Sequence, residues 1–133
     1  MIDHISIPVS DMDKARGFYD AALGALGYQR LREQDEAGYT ASGYGVPGGH
    51  EPPFWVGAAN PPQPAGAPPE GQHIAFQAPN RAAVDAFHTA AIAAGGRDNG
   101  SPGVRAHYHA NYYAAFVIDA DGHHLEAVTH APE

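Results

Sequence analysis

The stretch HISIPVSD, residues 4–11, returns later in the chain as HIAFQAPN, residues 73–80. In each copy a histidine opens a short run of alternating apolar residues, and a helical pattern follows. A shift of 69 positions, from His4 to His73, superimposes the copies and continues as far as Gly27 over Gly96. An internal repeat of this kind indicates two copies of one supersecondary unit.

Each copy continues as a helix and then as short segments typical of strands. In the first copy the opening strand is expected at residues 2–9, Ser10 or Asp11 can cap the helix, and Gly27 ends it. In the second copy the opening strand is expected at residues 72–78. The later strands are expected at residues 28–31, 39–44 and 53–57, and then at 105–108, 112–119 and 124–129. The sequence therefore predicts an α+β fold made of two βαβββ modules.

The length of 133 residues fits one domain, 1–133. Within it we expect module one at 1–57, a proline-rich linker at 58–71 with five prolines, and module two at 72–131.

Composition excludes several classes of function. Seven Lys and Arg against fifteen Asp and Glu give a formal charge of −8, which repels nucleic acid and anionic membrane surfaces. The chain has no cysteine, so a metal ion would have to be held by histidine and carboxylate ligands. The N-terminus resembles no signal peptide and no apolar run is long enough to span a membrane, so we expect a cytoplasmic protein without nucleic-acid or membrane partners.

Two of the nine histidines occupy equivalent places in the repeat. A single histidine is usually a surface or satisfied core residue, but a pseudo-twofold arrangement would bring His4 and His73 to equivalent positions. A carboxylate commonly completes such a site, and Glu126 in the last predicted strand is the candidate. The alternative for Glu126 is an edge-strand residue in water. The hypothesis is a metal site formed by His4, His73 and Glu126.

These residues, with the segments GQHIAF at 71–76 and DADGHHLE at 119–126, resemble the vicinal oxygen chelate superfamily. This is also called the glyoxalase, bleomycin resistance and dioxygenase group. The resemblance spans nearly the whole chain and implies paired βαβββ modules that form a cupped mixed sheet around a divalent metal ion. It implies ligands at His4, His73 and Glu126, without fixing whether the ion is Fe, Mn, Zn or Ni. Single chains of the group commonly form homodimers, which leaves open a site completed within one chain or across two.

One departure from the family pattern concerns the reaction. Glyoxalase I enzymes use a further Glu from the last strand of the first module, where this chain reads FWVG at 54–57. A ligand set of two histidines and one Glu is more similar to the metal sites of extradiol dioxygenases and fosfomycin-modifying thiol transferases. The resemblance implies a metal-dependent lyase or dioxygenase whose small substrate chelates the metal through vicinal oxygens. The alternative is a metal-free, bleomycin-resistance-like protein that binds a small molecule or antibiotic.

The candidate pocket wall in the second module is a cluster of hydrogen-bonding, mostly aromatic residues: His107, Tyr108, His109, Asn111, Tyr112 and Tyr113. Tyr112 and Tyr113 are adjacent in a strand and must face opposite sides, so at most one of them reaches the site. Alternatively, members of the cluster only pack the sheet. The candidates for general acid or base catalysis are Tyr108, His109 and Tyr112, and those for substrate binding are Trp55, Arg105 and Asn111.

Overall fold

The computed structural model describes residues 1–133 and contains eight strands and two helices. In the first half of the chain these are β1 (Ile5–Pro8), α1 (Met12–Gly24), β2 (Gln29–Glu36), β3 (Tyr39–Gly45) and β4 (Phe54–Ala59). In the second half they are β5 (His73–Gln77), α2 (Arg81–Ala93), β6 (Arg97–Val104), β7 (Tyr113–Ile118) and β8 (His124–Thr129).

The strands form two sheets of identical topology. The first sheet has the order β1-β4-β3-β2 and the second the order β5-β8-β7-β6. In each sheet the opening strand runs parallel to the last strand of its module, and the remaining neighbours are antiparallel. The prediction of an α+β fold with two βαβββ modules is confirmed.

Both helices begin where the sequence places a capping residue. The Asp11 side chain accepts a hydrogen bond from the Lys14 amide at the start of α1. The Asn80 side chain does the same for the Ala83 amide at the start of α2. Each cap satisfies an amide that has no partner within the helix, which fixes where the helix starts.

The two modules share one hydrophobic core. Ile7 and Val9 of the first module and Leu125 and Ala127 of the second are buried in the same cluster of 21 residues. The two helices pack against each other, and the ring centre of Phe54 in β4 lies 4.9 Å from that of Phe76 in β5. The modules therefore meet mainly through their helix-covered faces, and no helix or strand packs against the opposite face of either sheet.

Polar contacts at the β7–β8 turn also join the modules. Asp119 in this turn accepts hydrogen bonds from the buried Tyr19 hydroxyl of α1 at 2.6 Å and from the His123 amide at 2.8 Å. The buried His123 ring faces the Pro8 carbonyl of β1, with Nε2 2.6 Å from that oxygen. Since a carbonyl only accepts, Nε2 carries the proton in this contact.

The predicted strand at 105–108 is wrong. The structure places β6 at Arg97–Val104, and residues 105–112 form turns. β6 contains Gly100, Pro102 and Gly103, and it is an edge strand whose register shifts around Gly100. An edge strand with bulges tolerates these residues because fewer of its backbone groups must pair. Neither helix is long and apolar enough to cross a membrane.

Candidate metal and substrate site

Glu126 is the most deeply buried carboxylate of the protein. It lies in the middle of β8, paired in register with Ala75 on one side and Phe116 on the other, and is 1% exposed. Its neighbours in sequence, Leu125 and Ala127, point into the core, so the strand pleat directs Glu126 to the opposite, helix-free face. No Lys or Arg forms an ion pair with it. A buried carboxylate without such a partner is costly, which makes this position unusual.

His73 is the nearest basic group to this carboxylate. Its Nε2 atom lies 3.2 Å from Oε2 of Glu126, and its side chain is 53% exposed. Two atoms that bind one metal ion at about 2.0–2.1 Å are separated by about 3 Å. The separation of these two side chains therefore fits joint coordination of one ion as well as direct hydrogen bonding.

His4 is not part of this pair within one chain. It precedes β1, its side chain is 58% exposed, and Nδ1 lies 2.5 Å from a carboxylate oxygen of Asp3. No three His, Asp or Glu side chains of a single chain are close enough to hold a metal ion together. The structure thus brings together two of the three predicted ligands, His73 and Glu126, and leaves His4 at a separate, accessible place.

The first sheet carries a tryptophan where the second carries Glu126. Ser6 of β1 is paired with Trp55 of β4, just as Ala75 of β5 is paired with Glu126 of β8. Because Ser6 and Ala75 are equivalent in the repeat, Trp55 and Glu126 occupy equivalent positions. Trp55 supplies no metal ligand there. Glu51, the nearest preceding carboxylate in the chain, is 81% exposed and lies 3.7 Å from Arg32.

The Trp55 ring can lie over the neighbouring strand β3 because the residue of β3 paired with it, Gly43, has no side chain. A Cβ atom on Gly43 would come 3.0 Å from Cε2 of Trp55 and 2.7 Å from Cγ of Pro52. The indole Nε1 donates a hydrogen bond to the Pro52 carbonyl at 3.0 Å. Trp55 is thereby held as a half-buried, rigid aromatic surface on the first sheet.

Tyr112 covers the Glu126 carboxylate from the loop before β7. Its hydroxyl donates a hydrogen bond to Oε1 of Glu126, whereas the hydroxyl of Tyr113 donates to Asp85 of α2. The two tyrosines thus face opposite sides, as the strand alternation predicts. Burial and the adjacent Glu126 carboxylate raise the pKa of Tyr112 to about 12. Tyr112 therefore remains protonated near neutral pH and acts there as a hydrogen-bond donor.

A pair of histidines lies against the Tyr112 ring. Nε2 of His109 is 2.8 Å from Nδ1 of His130, and the backbone N–H of Asn111 donates to Nδ1 of His109 at 3.1 Å. Since an amide can only donate, the neutral His109 ring carries its proton on Nε2 and donates it to His130. The predicted site residues His109 and Asn111 are thus neighbours. His130, which is not among the predicted site residues, joins them.

Arg105 and Tyr108 complete the loop in different ways. The Arg105 guanidinium donates to the carbonyls of Ser101 and Gly103 at 2.8 and 2.9 Å, and lies 5.3 Å from the Phe116 ring centre. Its donors therefore stabilise the irregular end of β6. Tyr108 is 59% exposed, and its ring centre lies 4.7 Å from that of Tyr112.

The chain belongs to the Glyoxalase/Bleomycin resistance protein/Dioxygenase superfamily, whose sequence profile matches residues 1–127. The chain is similar in structure to a glyoxalase/bleomycin resistance protein from Albidiferax ferrireducens T118. The identity is 29%, the match covers 95% of each chain, and the TM-score is 0.70. No curated protein sequence matches the chain.

Two more distant structures show the same fold. Glyoxalase I from Zea mays is 20% identical with a TM-score of 0.76, and the match covers 96% of this chain but 43% of the maize chain. A glyoxylase/bleomycin resistance protein/dioxygenase domain from Frankia sp. EAN1pec is 17% identical with a TM-score of 0.71, covering 96% and 95%.

Proposed function

We propose that this protein is a divalent-metal-dependent enzyme of the glyoxalase and dioxygenase type. The observation that carries the proposal is the buried Glu126 carboxylate, which faces His73 and has no Lys or Arg partner. A cation at this place would offset the cost of burying the charge. One carboxylate oxygen and one imidazole nitrogen are ligands that Fe, Mn, Zn and Ni all accept. Family membership supports the proposal, because members commonly use a divalent metal ion.

We propose further that His4 of a second copy of the chain completes the site. The three residues do not meet within one chain, yet His4 and His73 are both more than half exposed and free to contact a partner. No helix or strand of the chain packs against the helix-free face of either sheet. In a homodimer with twofold symmetry, the first module of one copy would face the second module of the other. Each dimer would then contain two equivalent sites.

The substrate we propose is a small molecule with two vicinal oxygens, and the chemistry is that of a lyase or a dioxygenase. A bound ion would act as a Lewis acid on such oxygens. The chain itself supplies Trp55 as an aromatic surface, and His109, Tyr108 and Asn111 as polar groups for binding or proton transfer. With Trp55 at the position equivalent to Glu126, the chain offers three ligands rather than the four of glyoxalase I. We therefore expect negligible isomerisation of the methylglyoxal–glutathione hemithioacetal.

Metal analysis of untagged protein tests the metal site. We expect about one ion per chain for the wild type, and a strong loss of affinity for Glu126→Gln and for His73→Ala. Glu36→Gln and His50→Ala are matched controls, since both residues are exposed and far in sequence from the ligands. Wild-type protein that takes up none of Fe, Mn, Zn or Ni would overturn the proposal and favour the metal-free binding protein.

Mixing two inactive variants tests the shared site. A His4→Ala chain keeps His73 and Glu126, whereas a Glu126→Gln chain keeps His4. If the ligands come from two copies, exchange of subunits should restore one intact site in each mixed dimer, roughly a quarter of all sites at equal amounts. Metal binding that stays absent after unfolding and refolding the mixture, while wild-type dimers recover it, would show that all ligands come from one chain.

A further inference from the structure

We infer that Tyr112 is a positioning residue that fixes which oxygen of Glu126 is offered to a ligand. The inference rests on the proposed function and gives a residue of the loop before β7 a defined task at that site. It differs from the catalytic role predicted for Tyr112 from the sequence, because the hydroxyl is already engaged with a carboxylate.

The two oxygens of Glu126 are in different situations. Oε1 accepts the hydrogen bond from the Tyr112 hydroxyl, whereas Oε2 faces Nε2 of His73 at 3.2 Å. A carboxylate without the first contact could rotate about its terminal bond or offer both oxygens to one ion. With Oε1 held by Tyr112, only Oε2 is turned toward the partly exposed His73. The geometry therefore favours single-oxygen binding by Glu126.

The hydroxyl is the donor in this contact. An ionised carboxylate oxygen can only accept, so the hydrogen bond between Tyr112 and Oε1 of Glu126 runs from the phenol to the carboxylate. The phenol has one O–H to donate, and Glu126 receives it. Hydrogen bonds of this type to a metal-binding carboxylate commonly change metal affinity by about 10–100-fold.

The Tyr112 ring is itself held on several sides. Its centre lies 4.7 Å from Tyr108, 5.5 Å from His109 and 5.2 Å from His130. The hydrogen bond between His109 and His130 connects the loop before β7 to the residue that follows β8. We call the rings of Tyr108, His109 and His130 around Tyr112 the clamp. Because β8 carries Glu126 and leads into His130, the clamp and the carboxylate are attached to the same strand. The histidine pair therefore sets the position of Tyr112 relative to Glu126.

Metal affinity of Tyr112→Phe tests the inference directly. The substitution removes the donor and keeps the ring, so we expect Zn²⁺ and Co²⁺ to bind about 10–100-fold more weakly in a chelator competition. The visible absorption of the bound Co²⁺ should also change, because the freed Oε1 alters the ligand geometry. His130→Ala, which removes one side of the clamp, should give a smaller loss in the same direction.

Tyr113→Phe is the matched control, because its hydroxyl also donates to a carboxylate, Asp85, on the other side of the sheet. It should leave the affinity and the Co²⁺ spectrum unchanged. If Tyr112→Phe and His130→Ala both bind metal like Tyr113→Phe, the positioning role is wrong while the proposed function stands. If the wild type itself binds no metal, both fail together. A Tyr112→Phe protein that only melts earlier, with wild-type affinity when folded, would also overturn the inference.

Discussion

Replacing Glu126 by Gln should raise the stability of the metal-free protein while abolishing metal binding. The side chain is 2% exposed, so the charge is almost fully desolvated, and no Lys or Arg compensates it. Gln keeps the shape and still accepts the hydrogen bond from Tyr112, but carries no charge. The substitution weakens one charge-assisted hydrogen bond by about 1–1.5 kcal/mol and removes a desolvation cost of several kcal/mol.

The net gain should be about 1–2 kcal/mol, because the weakened hydrogen bond offsets part of the desolvation cost that is removed. For a chain of 133 residues this corresponds to a rise in Tm of about 4–7 °C. Adding metal should reverse the order. At about 100 times Kd the wild type gains about 2.7 kcal/mol from binding, whereas the variant gains nothing.

Thermal unfolding of both proteins, with chelator and with added Zn²⁺ or Mn²⁺, measures the two differences. Glu70→Gln serves as the control, since this exposed carboxylate has no ion-pair partner and should leave both melting curves unchanged. A Glu126→Gln protein that melts several degrees below wild type in chelator, and that gains as much as wild type from metal, would refute the reasoning. Glu126 would then be a structural group.

Three further predictions follow from packing and charge. Gly43→Ala should destabilise the fold by about 1–3 kcal/mol in urea unfolding, because the added Cβ would come 2.7 Å from Pro52. It should also shift the fluorescence emission of Trp55, the only tryptophan. Gly17→Ala, which has open space around its added Cβ, should instead stabilise α1 in the same assay. His123→Ala should cost about 1–3 kcal/mol in the same assay, because the contact between the buried ring and the Pro8 carbonyl is lost, whereas the exposed His50→Ala should cost nothing. Partial burial opposes ionisation of Glu33, but hydrogen bonds from Ser42, Arg30 and Arg16 outweigh this effect and lower the pKa of Glu33. The ionised Glu33 should therefore stabilise the fold above its unfolded-state pKa, and this stabilisation should be lost as pH falls through its lowered folded-state pKa. Urea unfolding curves of Glu33→Gln and wild type that differ equally at pH 7 and pH 3 would contradict this expectation.

The alternation of side chains along strands made much of the fold predictable from the sequence. Ile7 and Val9 point into the core, and Glu126 points to the opposite, helix-free face of its sheet. The pleat fixes these directions wherever one face of a strand is buried. The β7–β8 turn was also predictable, since Gly122 supplies the positive φ and Asp119 caps the turn. By contrast, β6 was misplaced because an edge strand with bulges obeys no simple alternation.

The site was predictable only in part, for a physical reason. The repeat makes His4 and His73 equivalent, but whether their side chains meet depends on how the modules pack. The local periodicity of the sequence does not determine that packing. The contact between Tyr112 and Glu126 depends on the turns at residues 105–112, whose conformation no strand or helix pattern fixes. His130 had a usable signal, because it lies at an even spacing from Glu126, one residue beyond the end of β8.

The comparison of the two modules explains why one site of this kind would use both. The modules repeat the same topology and the same pairing of opening and last strand, yet they differ at one register position. Glu126 of the second module is a buried carboxylate with His73 beside it, and Trp55 of the first is a rigid aromatic surface with no ligand atom. A metal ion needs the charge from the second module, whereas the first contributes His4 and a wall against which a small substrate can lie. Neither module alone offers both, so the function proposed here requires a first module and a second module to face each other across the helix-free surfaces of the sheets.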